Sequence, residues 1–399
     1  HGQEIRREYA FMKKVLLCLF ALSLLAVSLW GCEAEVPEEL NADPKDVLEE
    51  DIAYPLYESL DADDKQLYLN VCKAVRDHSS SATVGVFDTE EELEEAAERL
   101  KYLYRQIFFE QSDIFWVDPY NISADHVRSR GKHRLVLRPA YLVTEEELPE
   151  MKEAFDAKVE EILALADGRE NDFEKALFVH DHILKNAVYD HALAESKEYG
   201  SMGINAYGCL MEGKTICSGY TLAFDLLMKR LGYECGAEFN NYGQFSLFDG
   251  HVWNYCKLGD EYYYFDLTWD DTAFESEYYQ KHLEFGYTYF GVTKEELAKS
   301  NFTLSEDAPT PPCNGKAFNY FVYKGLNLPL YTQEAAEAAI KAQAGQSYAV
   351  LRFDSYGELL KAQYELIDRQ KIYSMVEGLT KLSYMVSKSN LHLYIFFEE

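Results

Sequence analysis

Cys217 stands where a cysteine can be made reactive. The stretch Gly213-Lys-Thr-Ile-Cys-Ser-Gly-Tyr leads into Tyr220, Ala223, Phe224, Leu227 and Leu231, an apolar stripe at helical spacing that stops at Gly232. A cysteine in the first turn of a helix meets unpaired N–H groups and the positive end of the helix dipole. Both favour a thiolate, and the same N–H groups can stabilise an oxyanion formed beside the sulfur. By itself such a cysteine is more often a buried structural thiol, so its partners decide the matter. Gly250-His-Val-Trp-Asn-Tyr-Cys256 and Tyr262-Tyr-Tyr-Phe-Asp-Leu267 alternate as two strands, with Lys257-Leu-Gly-Asp260 as a four-residue turn between them. Pairing Cys256 with Glu261 sets His251 opposite Asp266, on one face, with Cβ atoms about 5 Å apart. A slip of one residue would bring Val252 opposite Asp266 and break the arrangement. The three residue types fit one chemistry: a thiolate attacks, an imidazole moves the proton, and a carboxylate fixes the imidazole tautomer.

Other chemically suggestive residues read as structural. His180 and His182 lie two apart on a helix and face away from each other, so they do not converge on a metal. Asp270 and Asp271 are too few carboxylates to define a calcium site and read as loop-shaping. Of the eight cysteines, at 18, 32, 72, 209, 217, 235, 256 and 313, most read as small buried hydrophobes. The absence of C-x-x-C or clustered Cys/His spacing argues against zinc, and no cofactor or metal is expected. Trp253 and Trp269 flank the strands of interest, either as core packing or as a shield against water.

The elements that position these residues are legible in outline. Helices are expected over 51–78, 90–111, from the Thr144-Glu-Glu-Glu cap to about Asp167, and over 173–189. Strands are expected over 113–117 and 134–143, separated by a Gly/Ser/Arg-rich turn. Ala308-Pro-Thr-Pro-Pro312 is the clearest break in the chain. Beyond it a strand over 348–353, a helix over 356–370 and a hairpin of 382–386 with 391–397 make a small α/β unit.

With these residues in view, the sequence is similar to the secreted bacterial members of the transglutaminase-like superfamily. The resemblance is carried by Phe178-Val-His-Asp-His-Ile, Tyr189-Asp190, Ile216-Cys-Ser-Gly-Tyr-Thr-Leu-Ala-Phe, Gly250-His-Val-Trp-Asn, Tyr264-Phe-Asp-Leu-Thr-Trp-Asp-Asp271 and the segment from Tyr287 to Lys299. It implies an α+β, papain-like core in which a helix bearing Cys217 packs on an antiparallel sheet bearing His251 and Asp266. These three are then the catalytic residues of a thiol acyl-transfer enzyme acting on protein or peptide amides. The reaction is transglutamination, deamidation or peptide hydrolysis, according to whether an amine or water takes the acyl group. The alternative is a surface module that keeps the fold for binding without catalysis. Ser218 stands where glutamate or a small residue is common in the family, and Tyr207 is the candidate for a second oxyanion donor.

The remaining expectations concern where the protein works. Met12-Lys-Lys followed by the apolar run Val15–Trp30 reads as a signal segment, slightly short for a membrane span. Its end, Leu29-Trp-Gly-Cys32, resembles a lipoprotein site, with Cys32 lipidated and the chain anchored to the outer face of a bacterial membrane; plain secretion with cleavage nearby is the alternative. Lys and Arg total 38 against 69 Asp and Glu, a formal charge of −31. Such a surface repels phosphate backbones, so nucleic acid is not an expected partner, and an extracellular protein or peptide is. The expected organisation is an N-terminal extension and signal (1–32), an acidic tether (33–50), a helical and mixed region (51–172), the catalytic core (173–307), and a Pro-rich linker with a small C-terminal domain (308–399).

Overall fold

The computed structural model describes residues 36–196, 200–240, 250–272, 277–299 and 310–398. Cys32 and the apolar run before it lie outside the described residues. Contacts divide the chain into two compact units.

The first unit takes in Tyr57–Ile107, Val117–Tyr141 and the described part of the chain up to Glu49. Helix α1 (Ala62–Arg76) packs on β1 (Ala82–Phe87), and helix α2 (Glu90–Glu110) follows. Strands β2 (Val117–Ser129) and β3 (Lys132–Tyr141) complete a three-stranded sheet in the order β1-β3-β2. Arg130 and Gly131, with φ of 52° and 77°, form a two-residue turn in which both central residues are left-handed, as the twist of a tight hairpin requires. The strand expected over 113–117 instead begins at Val117 and runs on through Pro119 and a polar, half-exposed stretch. Its hydrophobic alternation is too weak to read. Part of the expected tether is docked: the Leu40 N–H donates to the Thr83 carbonyl, and the Thr83 N–H to the Glu38 carbonyl, each at 2.9 Å. Asn70, buried on α1, accepts from the Ala42 N–H and donates to the Val84 carbonyl, both at 2.9 Å. Those bonds hold the acidic segment where charge alone would have left it in water.

The second unit contains Glu50–Leu56, Phe108–Trp116 and Leu142–Glu399. Thr144 and Glu147 exchange the reciprocal bonds of a capping box ahead of α3 (Leu148–Asp167). Asn171 caps α4 (Asp172–Asn186) by accepting from the Glu174 N–H at 3.0 Å. Two short parallel strands, β4 (Val188–Tyr189) and β5 (Lys214–Thr215), lead to α5 (Cys217–Arg230). Helix α5 is buried along nearly its whole length and ends as its sequence requires. Gly232 at φ 87° bonds the Lys229 carbonyl, and the Tyr233 N–H bonds that of Met228.

Against α5 packs an antiparallel sheet in the order β6 (Cys235–Phe239), β7 (Val252–Leu258), β8 (Glu261–Phe265), β9 (Phe290–Val292). Asn254 on β7 donates to the Thr221 carbonyl at 3.0 Å and ties sheet to helix. The β7–β8 turn differs from the four-residue expectation. Leu258 pairs with Glu261 and Cys256 with Tyr263, so the turn is Gly259-Asp260 alone. Gly259 sits at φ 59°, the positive value that the first central position of a tight hairpin turn demands.

The C-terminal part adds a second sheet, β10 (Asn327–Leu328), β11 (Tyr348–Phe353), β13 (His392–Glu398) and β12 (Lys381–Ser387), in that spatial order. Helices α6 (Gln333–Ala342) and α7 (Tyr356–Gln363) share its apolar core with Leu351, Leu393 and Ile395. The helix expected to reach 370 gives way to a wider turn at Tyr364–Asp368. The expected closing hairpin is present as β12 and β13. Among the described residues, no helix is long and apolar enough to cross a membrane.

Candidate active site

Cys217 is the first residue of α5 and is 7% exposed. Ile216 precedes it in extended conformation and offers no side-chain cap, so no side chain closes the first turn. Gly219 explains the small residue that follows: a Cβ there would collide with the Thr215 side chain and press on the Asn205 carbonyl. The Thr215 hydroxyl is fixed by donating to the Gly203 carbonyl at 2.7 Å. The helix start is thus wedged against the loop before it, which holds the sulfur in place.

His251 lies one residue before β7, and Asp266 one residue after β8. Extending the observed ladder places His251 opposite Thr268, so Asp266 is its diagonal neighbour and not the directly opposed residue expected. The expectation fails on turn length but keeps the face. Shortening the turn from four residues to two moves the register by an even number, and side-chain direction alternates with period two. Diagonal neighbours remain within reach of long side chains. The His251 Nε2 and Asp266 Oδ2 atoms are 2.6 Å apart. His251 also shares a side-chain hydrogen bond with Cys217. The structure therefore brings the three residues together.

Asp266 is held independently of His251. Its Oδ1 accepts from the Trp269 N–H at 3.2 Å, capping the short helix Leu267–Asp270, and its own N–H donates to the Tyr289 carbonyl at 3.2 Å. His251 is also gripped through its backbone: its N–H donates to Asn240 Oδ1 at 2.7 Å, and Asn240 N–H returns to its carbonyl at 3.1 Å. The imidazole is near two indoles, near-parallel to Trp253 at 5.6 Å and edge-on to Trp269 at 6.0 Å. The His251 side chain keeps 15% exposure against 1% for Asp266, so water or a substrate reaches the ring but not its carboxylate. Burial on its own would lower the His251 pKa. The Asp266 charge and hydrogen bond, followed by the bond and charge of Cys217, outweigh it and raise the value to about 10.

Asp270 and Asp271 brace the surrounding elements. Asp270 Oδ2 lies 3.2 Å from His180 Nε2, and its Oδ1 accepts from the Tyr289 N–H at 3.0 Å. His180 Nδ1 bonds Asp181 at 3.1 Å. Burial pulls the pKa of His180 down, but the two carboxylates prevail and set it at about 8. Asp271 Oδ2 accepts from the Tyr220 hydroxyl at 2.7 Å and the Tyr189 N–H at 3.1 Å, tying α5 and β4 to the loop that follows Asp266. His182 packs at a tilt against Phe178 and does not converge with His180. Among the described residues, no group of three or more His, Cys, Asp or Glu side chains is arranged to hold a metal ion.

Tyr207, the expected second oxyanion donor, packs its ring against Phe115 at 4.7 Å and Phe155 at 5.6 Å, and the charge that reaches its hydroxyl is that of Glu212. The phenol that feels the Cys217 charge is that of Tyr189, whose pKa is pushed up by burial first and then by that charge. The β4–β5 ladder puts Tyr189 beside Thr215, two residues before the cysteine. A strand of two residues leaves no periodic signal, so Tyr189 was visible in sequence as a motif residue without a role. Asn240 left no sequence signal either.

Residues 161–267 match the transglutaminase-like superfamily. Two solved structures are similar in part. One, described as a TGase, is 12% identical over 40% of this chain and 48% of its own, with a TM-score of 0.26. The other, described as a presumed cysteine protease from Cytophaga hutchinsonii, is 14% identical over 37% of this chain and 62% of its own, with a TM-score of 0.20. The chain thus spans under two thirds of either. No curated protein matches the sequence significantly. Residues 161–267 thus carry a transglutaminase-like domain, whose helix α5 on an antiparallel sheet is an α+β arrangement, and the family match supports a cysteine enzyme.

Proposed function

We propose that the chain is a thiol acyl-transfer enzyme acting on protein or peptide amides outside the cell. The observation that carries this reading is the contact chain Cys217–His251–Asp266, formed at the uncapped N-terminus of a buried helix. Below pH 10 the imidazole is protonated, and an imidazolium stabilises a neighbouring thiolate. The sulfur attacks the carbonyl carbon, forming a C–S bond and an oxyanion. The first-turn N–H groups of α5 and the Tyr189 hydroxyl, kept protonated by its raised pKa, are the groups suited to receive that oxyanion. His251 gives its proton to the leaving nitrogen as the C–N bond breaks, and a thioester remains. It then takes a proton from the amine or water that attacks the thioester and frees the sulfur. Trp253 and Trp269 pack beside the imidazole and limit the water that competes for the thioester.

The sequence before residue 36 supports action at the outer face of a bacterial membrane, through a lipid on Cys32. An unlipidated mature N-terminus in the mass spectrum of the exported protein would rule the anchor out.

The reaction is tested by incubating the full chain with a glutamine-donor peptide and a labelled primary amine, and reading both by mass spectrometry. Amine incorporation identifies transglutamination, a gain of about one dalton deamidation, and backbone cleavage a peptidase. Products identical for wild type and Cys217→Ala would overturn the enzymatic reading in favour of a binding module.

A further inference from the structure

Two cysteines that take no part in this chemistry face each other across β6 and β7. The ladder sets Cys235 directly opposite Cys256, and both are fully buried. The backbone bonds fix the kind of position they occupy. The Lys257 N–H donates to the Glu234 carbonyl at 2.8 Å, which marks that neighbouring pair as hydrogen-bonded. Hydrogen-bonded and non-hydrogen-bonded pairs alternate along an antiparallel ladder, so Cys235 and Cys256 form a non-hydrogen-bonded pair. There the opposing Cα atoms come to about 4.5 Å, within the span a disulfide bridges. The two side chains already touch through a thiol hydrogen bond.

The surroundings favour this pairing over others. Cys256 shares a face with Asn254, which bonds α5. Cys313, which the Cys256 charge reaches, packs with Trp253 and Tyr255 on the opposite face of β7. On the α5 side, Asp225 and Lys229 form a buried ion pair at 2.9 Å, and Asp225 also contacts the Cys235 thiol. Burial pushes both the Asp225 carboxyl and the Cys235 thiol upward, so the thiol holds its proton while the strands are closed and yields it when they open. The Lys229 ammonium offsets the charge left on sulfur.

We propose that Cys235 and Cys256 are a dithiol that closes to a cross-strand disulfide by exchange with a small-molecule disulfide. Deprotonated Cys235 attacks one sulfur of the oxidant and expels one thiolate. Cys256, giving up its proton, then attacks the Cys235 sulfur of the mixed disulfide, forms the S–S bond and expels the second thiolate. The protein loses both thiol hydrogens, the oxidant leaves as two thiols, and nothing else is consumed. The bond links β6 to the strand that follows His251, making the sheet beside the active site covalently continuous. It also restricts the unfolded chain, so the oxidised form resists denaturation better.

The test exposes the full reduced chain to oxidised glutathione in urea concentrations below its unfolding transition, where buried thiols open transiently. Remaining thiols are then alkylated in strong denaturant, and the chain is mapped by mass spectrometry without reduction. The expected result is a linked Cys235–Cys256 peptide, about two daltons lighter than the sum of its free parts, with a urea midpoint above that of the reduced chain. Alkylation of both cysteines, a stable glutathione adduct on one of them, or a link from either to another cysteine would each overturn the proposal. The readout does not depend on catalysis, so it stands or falls apart from the enzymatic reading.

Discussion

At the scale of residues, the charge state of His251 links geometry to rate. Its pKa of about 10 rests on Asp266 overcoming burial, so the imidazolium is present over the whole neutral range. The proposed enzyme then has a kcat/KM profile whose alkaline limb falls near pH 10 in the free enzyme. Replacing Asp266 with Asn removes the first of the raising influences and leaves burial in force. That variant should lose activity by roughly 100- to 10,000-fold, and its alkaline limb should move to lower pH. A limb unmoved by the substitution would show that another group titrates there. Tyr189→Phe should lower kcat by about 100- to 1,000-fold, the range for one oxyanion donor, while leaving the alkylation rate of Cys217 near wild type. Equal kcat in the two proteins would remove Tyr189 from the mechanism.

At the scale of elements, the site depends on where a helix starts and how a hairpin turns. Gly219 is the position where the start of α5 meets Thr215 and the Asn205 carbonyl. Gly219→Ala should therefore destabilise the protein by about 1–3 kcal/mol, read as a lower urea midpoint at unchanged slope. A neutral result would mean that the preceding loop yields freely. The hairpin shows why sequence reading reached the right partners by an inexact route. Alternation in Gly250–Cys256 and Tyr262–Leu267 made both strands legible and placed His251 and Asp266 on a common face. Turn length was not legible, because Lys257-Leu-Gly-Asp260 fits a loose turn as well as a tight one. An error of two residues is invisible to alternation, whereas an error of one would have separated the pair. Tyr207 and Tyr189 show the opposite case. Which phenol feels the Cys217 charge follows from the short β4–β5 ladder, a non-local pairing without periodic signal. The docking of the segment around Leu40 was hidden for a related reason: backbone pairing to Thr83 does not depend on the acidic side chains that suggested a tether.

At the scale of the whole molecule, buried histidines make stability depend on pH in both directions. His180 and His251 have folded pKa values of about 8 and about 10, above the value of about 6.5 for an unfolded histidine. Their contribution is complete below about pH 6.5 and is lost as pH rises through those values. For His180 the shift corresponds to about 2 kcal/mol. His392 behaves oppositely: burial, and then the Arg352 charge, depress its pKa to about 3, so the unfolded chain binds its proton first. Its contribution is complete above about pH 6.5 and is lost as pH falls toward 3. The urea midpoint should accordingly peak near neutrality and fall on both sides. In a His180→Gln variant the decline between about pH 6.5 and 8 should flatten, and an undiminished decline would assign it to other groups.

The central claim is that Cys217 is a nucleophile activated by His251. It is tested most directly by the rate at which iodoacetamide alkylates the native full chain at pH 6, with the modified residue identified by mass spectrometry. Cys217 should react before every other cysteine, and His251→Ala should slow this reaction by about tenfold or more, because an ordinary thiol is almost fully protonated at that pH. Unselective labelling, or a Cys217 rate indifferent to the loss of His251, would contradict it.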